Sequence, residues 1–333
     1  MRHRSVPLIT SFPGVRRNVR RSTVVALTAG AMLTGTALVA PATQAAESAP
    51  AAQAAAAALP TLSAKGAFLL DNTTGAKRYG KAADTRRQMA STTKIMTAAV
   101  VLNTKGIDLN RKITVKQTYR DYVVREGAST ADLRTGDKVT IRQLLYGLML
   151  PSGCDAAYAL ADAIGTGSTV AARTKSFIGK MNTKAKDLGL TNTKFDSFDG
   201  ISAAGNNYTT PRDLATIAQY AMKNTTLRAV VKSTSYKTTA TTKTGGTRTY
   251  TWYNTNQLLG SYTGAFGVKT GTGTAAGPCL IFAATRNGKT HIGVILNGTD
   301  RYKDAAKLLD YYSGVSTAKT MQLRTLPPGA QRD

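Results

Sequence analysis

Residues 133–161 read LRTGDKVTIRQLLYGLMLPSGCDAAYALA and predict how the middle of the chain folds. Thr140 and Gln143 have the spacing of a capping box, in which each side chain accepts a hydrogen bond from the other residue's backbone N–H. An apolar helix should follow and end at Pro151, because proline has no amide proton to donate within a helix. The Ser-Gly-Cys that comes next is expected to form a turn before a second helix over residues 155–164.

The same patterns extend outward from this helical pair. Apolar spacing, caps and a first-turn proline predict further helices at Ser91–Leu102, at Ser168–Leu188, from Thr210 onward and at Asp304–Tyr312. Short apolar runs predict strands at Ala67–Asp71, Ala265–Val268, Leu280–Thr285 and His291–Leu296. This order predicts an α/β (α+β) fold. We expect an antiparallel sheet from both chain ends, flanked by helices, with an inserted all-helical subdomain.

Both ends of the chain differ in composition from the rest. Residues 1–45 combine arginines, an uncharged apolar run and then small residues, which is typical of a secretory signal peptide. The apolar run is also about long enough to act as an uncleaved membrane anchor. Residues 46–60 are rich in Ala and end at Pro60, which indicates a linker. One folded domain is expected over residues 61–316, followed by a polar tail over residues 317–333.

The net charge limits which kinds of binding partner are expected. The net charge is +26, and the signal segment holds six Arg and no acid, which leaves +20 for the remainder. Such a protein favours polyanionic surroundings. The basic residues are scattered and no nucleic-acid motif is present, so we expect no nucleic-acid partner. For an exported monomer, contact with an anionic cell wall or with the outer face of the cytoplasmic membrane is the expectation.

Residue counts exclude several kinds of active site. Of the two His, His3 lies in the signal segment and His291 in a predicted strand, which argues against a Ser-His-Asp triad. One mature His and two distant Cys are too few ligands for zinc, so no metal or cofactor is expected. The only two Glu, Glu47 and Glu126, argue against a paired-Glu glycosidase, although an Asp pair stays open. If this exported protein performs acyl transfer, a lysine is the remaining base.

Ser91-Thr92-Thr93-Lys94 supplies such a lysine. Residues at i and i+3 share one face of a helix, and a helix N-terminus favours developing negative charge. Lys94 could then accept the Ser91 proton if burial or a neighbouring cation keeps its amine neutral. A second Ser-x-x-Lys at residues 316–319 lies in the predicted tail with no core after it, and is rejected.

Two later tripeptides complete the pattern. Ser152-Gly153-Cys154 follows a helix end, where a hydroxyl can reach across a cleft as a proton relay. Lys269-Thr270-Gly271 follows the apolar run at residues 265–268, and a strand edge of that kind can bind a carboxylate and an extended peptide. A second Lys-Thr-Gly, at residues 243–245, sits among Thr and Gly and is interpreted as a turn.

This ordered set resembles the motifs of penicillin-binding proteins and class A β-lactamases. The surrounding text, including MASTTKIMTA and GVKTGTGTAAGPCLIFAAT, is similar to low-molecular-mass D-Ala-D-Ala carboxypeptidases/transpeptidases over roughly residues 61–315. The resemblance implies a β-lactamase/penicillin-binding-protein-like fold. It also implies a serine D,D-peptidase that acts on D-Ala-D-Ala-terminated peptidoglycan stem peptides and is acylated by β-lactam antibiotics such as penicillin.

The resemblance also implies roles for individual residues. Ser91 is similar to the acylated nucleophile, Lys94 to the general base and Ser152 to the relay that hands a proton to the leaving D-Ala. Lys269 and Thr270 resemble the carboxylate-binding pair. The backbone N–H groups of Ser91 and Thr272 resemble the oxyanion hole, and Gly271 offers an open backbone at the strand edge.

Cys154 is the departure from the family pattern, because the family usually has Asn there. A thiol donates and accepts hydrogen bonds poorly, which puts efficient substrate and β-lactam binding in doubt. Related transpeptidases with Cys at this position are known, so inactivity does not follow. Cys154 and Cys279 are expected as free thiols, with a disulfide as the alternative.

Two alternatives remain. A class A-like β-lactamase needs a Glu downstream of the second motif, and no Glu follows Ser152, while nothing supports Asp196 or Asp199 as a substitute. A non-catalytic wall-binding or β-lactam-sensing protein would fit Cys154 and the basic charge. The intact Ser91 and Lys94 argue against it.

Overall fold

A five-stranded antiparallel sheet joins the two ends of the folded region. The computed structural model describes residues 58–331, so the predicted signal and most of the predicted linker lie outside the described residues. The strand order is β2-β1-β11-β10-β9. The bounds are β1 Gly66–Asp71, β2 Lys77–Lys81, β9 Ala265–Gly271, β10 Cys279–Arg286 and β11 Lys289–Leu296.

The central strands are buried on both faces, because hydrophobic layers cover both sides of the sheet. In β1, Phe68 and Leu70 belong to the larger core, whereas Ala67 and Leu69 belong to a smaller one. This alternation follows from the two-residue side-chain period of a strand. The sheet therefore has no solvated face along β1, which explains the unbroken apolar run in its sequence.

Between residues 58 and 331 the structure contains eight α-helices and two single-turn 3₁₀ segments. The helices are α1 Lys94–Leu102, α2 Gln117–Arg125, α3 Ile141–Met149, α4 Cys154–Ile164, α5 Val170–Asp187, α6 Pro211–Ala221, α7 Thr225–Lys232 and α8 Arg301–Ser313. The capping box at the start of α3 is formed from both sides, with Thr140 Oγ1 3.1 Å from Gln143 N and Gln143 Oε1 2.7 Å from Thr140 N. Both residues act as the sequence predicts.

The insertion between β2 and β9 is not all helical, which corrects one detail of the expected fold. It also contains a four-stranded sheet in the order β4-β5-β7-β8, with strands Lys112–Thr114, Lys138–Thr140, Ser235–Thr241 and Thr247–Tyr253. The β7–β8 hairpin is rich in β-branched Thr, which favours strands. Tyr250 and Trp252 bury its inner face, so aromatic packing at period two replaces an apolar run. A short ladder of β3 Arg87–Gln88 with β6 Tyr208–Thr209 completes the insertion.

The segment after α8 lies against the domain. A 3₁₀ turn at Thr317–Lys319 follows α8, and Ala318 and Met321 pack against the smaller core. Farther along, Arg324 forms hydrogen bonds with the loop before β9. Among the helices described here, none combines the length and apolar character needed to cross a bilayer.

Candidate active site

Ser91 lies in a 3₁₀ turn, Ala90–Thr93, that leads directly into α1. The expected α-helix therefore begins at Lys94 rather than at Ser91. The reason is tertiary: Ala90 has a φ of +46°, and the loop at Gly200 crosses directly over it. A Cβ at Gly200 would stand 2.0 Å from the Ala90 oxygen, so this crossing requires glycine. The tight turn keeps Ser91 partly exposed while Lys94 becomes fully buried.

Four side chains, those of Ser91, Lys94, Ser152 and Lys269, form one chain of polar contacts. Lys94 Nζ lies 2.8 Å from Ser91 Oγ and 3.4 Å from Ser152 Oγ. Ser152 Oγ in turn lies 2.9 Å from Lys269 Nζ. Two amines thus share one hydroxyl in a buried site. Such surroundings suit a lysine that gives and takes protons through hydroxyl groups.

The turn that carries Ser152 is held in an unusual conformation. Ser152 has a φ of +64°, which is rarely adopted by residues with side chains. Ser129 fixes it from outside, because its Oγ donates to the Ser152 oxygen at 2.8 Å and its own carbonyl accepts from Cys154 N at 2.9 Å. The Asp155 carboxylate, fully buried at the start of α4, accepts from the backbone N–H of Ala131. Burial raises the pKa of Asp155 despite the hydrogen bonds that its carboxylate accepts.

Cys154 faces the side-chain amine of Lys94. Its Sγ lies 3.3 Å from Lys94 Nζ, and the residue is 1% exposed. Burial raises the pKa of the thiol to about 12, so it is neutral at physiological pH. The side chain at this position therefore helps to surround Lys94, in addition to lining the cleft in front of Ser91.

β9 brings the third motif against the Ser91 turn. Lys269 and Thr270 are buried, each about 1% exposed, and Gly271 ends the strand. A Cβ at Gly271 would lie 2.9 Å from Ser91 N, closer than real Cβ contacts come. Only glycine therefore lets the strand edge approach Ser91 this closely. Thr272 follows at the cleft, with its Oγ1 accepting from Arg301 at 2.9 Å.

An open cleft of about 860 Å³ lies in front of Ser91. Ser91, Cys154 and Thr272 line it, whereas Lys94, Ser152 and Lys269 are buried behind them. A peptide in the cleft thus meets the serine hydroxyl first, with the amines beneath. Its remaining walls come from Gln88, Ala90 and residues 126–129, 200–205 and 273–276.

The structure adds residues that the motifs did not indicate. The backbone oxygen of Asp199 lies 3.2 Å from Lys94 Nζ, and its carboxylate accepts from Tyr122 OH at 2.8 Å. On the other side, Thr255 Oγ1 lies 2.7 Å from Thr270 Oγ1. Asp199 and Thr255 lie in loops outside the three motifs, and no local pattern marks them.

The rejected candidates lie away from this cluster. Lys243 is exposed in the β7–β8 turn, and Ser316 precedes the turn after α8. His291 is buried in β11, where burial lowers its pKa. Cys154 and Cys279 are both free thiols, as expected, so the disulfide alternative is wrong. Within residues 58–331, no group of three or more His, Cys, Asp or Glu side chains is placed to hold a metal ion.

Comparison with known proteins agrees with this geometry. A family model described as D-alanyl-D-alanine carboxypeptidase (peptidase family S11) matches residues 51–300. The chain belongs to this family. It is 55% identical over 298 residues to a D-alanyl-D-alanine carboxypeptidase of Streptomyces sp. strain K15, covering 88% of this chain and 98% of that protein. It is also 31% identical over 260 residues to DacB2 of Mycobacterium tuberculosis, covering 76% of this chain and 83% of the relative.

Solved structures give the same result. The crystal structure of the Streptomyces K15 DD-transpeptidase aligns with a TM-score of 0.75 and 60% identity, covering 76% of this chain and 98% of that one. The expected fold and family, the low-molecular-mass penicillin-binding proteins, are therefore confirmed. So is the enzyme class, a serine-type D-Ala-D-Ala carboxypeptidase/transpeptidase.

Proposed function

We propose that this family member works through an acyl-enzyme on Ser91 and that penicillin acylates the same residue. The observation that carries the proposal is the 2.8 Å separation of Lys94 Nζ and Ser91 Oγ, with Ser152 Oγ between Lys94 and Lys269. The Ser91 proton passes to the Lys94 amine as Oγ attacks the carbonyl carbon of the penultimate D-Ala. Backbone N–H groups of Ser91 and Thr272 stabilise the resulting oxyanion.

Collapse of the tetrahedral intermediate breaks the C–N bond to the terminal D-Ala. The leaving nitrogen takes the proton from Lys94 by way of the Ser152 hydroxyl, and an ester on Ser91 remains. Lys269 and Thr270 bind the free carboxylate of the terminal D-Ala, as a cation and a hydroxyl donor. Water then regenerates Ser91 in the carboxypeptidase reaction, or an amine of a second stem peptide does so in the transpeptidase reaction.

The reaction is proposed to take place outside the cytoplasmic membrane. The enzyme is proposed to be a monomer that is exported with residues 1–45 as its signal peptide. The exposed face of the four-stranded sheet supports contact with an anionic wall, because Lys112, Lys138 and Lys237 lie there among threonines. Replacing the three lysines with Glu should weaken retention on purified cell wall and flatten the salt dependence of binding. Unchanged retention would remove the electrostatic part of the proposal.

The proposed activity is tested by release of D-Ala from a peptide ending in D-Ala-D-Ala, with and without an amine acceptor. Wild type should release D-Ala, and Ser91→Ala should release none. A transpeptidated product in the presence of the amine identifies cross-linking. Release by Ser91→Ala at the wild-type rate would contradict the proposed mechanism.

A further inference from the structure

Arg324 holds the loop before β9 from outside the residues that the family model matches, which end at residue 300. Its guanidinium donates to the backbone oxygens of Asn254 at 2.6 Å, Leu259 at 3.0 Å and Asn256 at 3.3 Å. Its backbone N–H donates to Ser261 Oγ at 2.6 Å. Burial lowers the pKa of Arg324, in keeping with a partly desolvated side chain. One residue thus makes several bonds to a single loop.

That loop, residues 254–261, touches two of the three motif elements. Thr255 N donates to the oxygen of Leu150, directly before the turn that carries Ser152. Thr255 Oγ1 lies 2.7 Å from Thr270 Oγ1 in β9. The loop therefore connects the proton-relay turn with the strand edge on which the substrate carboxylate is proposed to bind.

We propose that Arg324 is a positioning residue for carboxylate recognition, acting through Thr255 on the hydroxyl of Thr270. A hydroxyl carries one proton, and its direction depends on where its partners lie. When Thr255 donates to Thr270, the Thr270 proton is oriented by that bond and is directed to a carboxylate acceptor. Arg324 fixes the backbone of residues 254–259, and so fixes the position of the Thr255 hydroxyl relative to that of Thr270.

The inference rests on the proposed acylation of Ser91, and it extends the site to a segment that follows α8. The Arg324 guanidinium donates to three backbone carbonyls. A lysine at this position would keep the positive charge but could bond fewer of these carbonyls. Arg286 offers a matched control. It also donates to a loop carbonyl, that of Thr263 at 3.3 Å, and it stacks on Tyr262 rather than holding Thr255.

The test compares acylation by penicillin with acylation by penicillin methyl ester, which lacks the carboxylate. Arg324→Ala should slow acylation by penicillin about 5- to 30-fold, equivalent to roughly 1–2 kcal/mol. Acylation by the ester should change less than twofold, as should both reactions in Arg286→Ala. Arg324→Lys should fall between Arg324→Ala and wild type. If Arg324→Ala slows acylation equally with both ligands, Arg324 is merely structural and the inference is overturned. The inference is also overturned if Arg324→Ala slows acylation with neither ligand.

A double-mutant cycle tests the route through Thr255. Thr255→Val keeps the shape of the side chain and removes the hydroxyl, so it should give a similar carboxylate-specific loss. If Arg324 acts through Thr255, the double variant should be no slower than the slower single variant. Additive losses would overturn the route. The proposed function is tested separately, by acylation of the wild-type protein and the absence of acylation in Ser91→Ala. A failure of the proposed function can therefore be distinguished from a failure of the Arg324 inference.

Discussion

Cys154 Sγ lies 3.3 Å from Lys94 Nζ, so a neutral thiol stands beside the proposed general base. The family pattern usually has Asn at this position, which could hold both the amine and a substrate amide. The thiol is a weak partner for either. Burial, rather than the nearby amine, dominates its ionisation and raises the thiol pKa to about 12.

We therefore expect Cys154 to resist alkylation in the native protein. At pH 8.5, iodoacetamide should modify it more than about a hundredfold slower than in urea, since the thiolate is the nucleophile and is scarce. Because the native pKa exceeds the unfolded one, the neutral thiol stabilises the fold below about pH 9, and that contribution is lost as pH rises toward 12. Mass spectrometry of a Cys279→Ala variant isolates the Cys154 reaction. Rapid alkylation would instead indicate a thiolate paired with Lys94.

Lys269, and not Lys243, should support acylation. Lys269 Nζ bonds Ser152 Oγ and the Thr270 oxygen at 2.9 Å each, whereas Lys243 is exposed in a hairpin turn. Loss of one or two bonds to a charged group, about 1.5–3 kcal/mol, should slow penicillin acylation of Lys269→Ala roughly 10- to 150-fold. Lys243→Ala should stay within twofold of wild type. The reverse ranking would mean that the other tripeptide binds the carboxylate.

The penicilloyl-enzyme should persist far longer than the acyl-enzyme of a β-lactamase. No Glu follows Ser152, and Glu126, which lines the cleft, bonds Arg125 at 2.9 Å. Without a carboxylate base aimed at the ester, deacylation by water should be slow. The measurement is nitrocefin turnover after the first equivalent. Sustained catalytic hydrolysis would contradict this expectation, and its loss in Glu126→Gln would identify the missing base.

Asp71 should stabilise the β1–β2 turn only when ionised. Its carboxylate accepts from Arg78 at 2.8 Å and from Thr73 N at 2.9 Å, and the side-chain bond to Arg78 contributes most to lowering its pKa from 3.8 to about 2. A depressed pKa means that the contribution is present above about pH 4 and is lost as pH falls through about 2. Asp71→Asn should therefore cost about 1–2 kcal/mol at pH 7. The difference in Tm should vanish near pH 2, and a constant difference would refute the linkage.

The sequence predicted those parts of the site that local patterns encode. Thr140 and Gln143 have the spacing of a capping box, which predicts the start of α3. Lys269 follows an apolar run that forms most of β9. Short-range sequence patterns were therefore sufficient to predict both elements. The 3₁₀ turn at Ser91 was not predictable, because the loop at Gly200 imposes it from more than a hundred residues away in sequence. Arg324 was missed for a similar reason, since its contact with Asn254 spans 70 residues.

The β7–β8 hairpin shows a different limit. Threonine supplies six of the fourteen residues of its strands, and the side chains buried on its inner face are Ala240, Tyr250 and Trp252. A short pattern of this kind is weak next to the apolar runs of β10 and β11. Its stability depends on packing of Tyr236 against Tyr146 of α3, whose rings stack 3.6 Å apart. That contact becomes visible only once the helix and hairpin are placed together.

The residue that penicillin modifies tests the proposed mechanism most directly. Incubation with labelled penicillin, followed by intact-mass measurement and peptide mapping, should give one penicilloyl group per protein, attached to Ser91. Ser91→Ala should give no adduct, and Lys94→Ala should form it at least about a hundredfold more slowly, as expected when a general base is lost. An adduct on Ser152 or Ser316, or undiminished labelling of Ser91→Ala, would contradict acylation at Ser91.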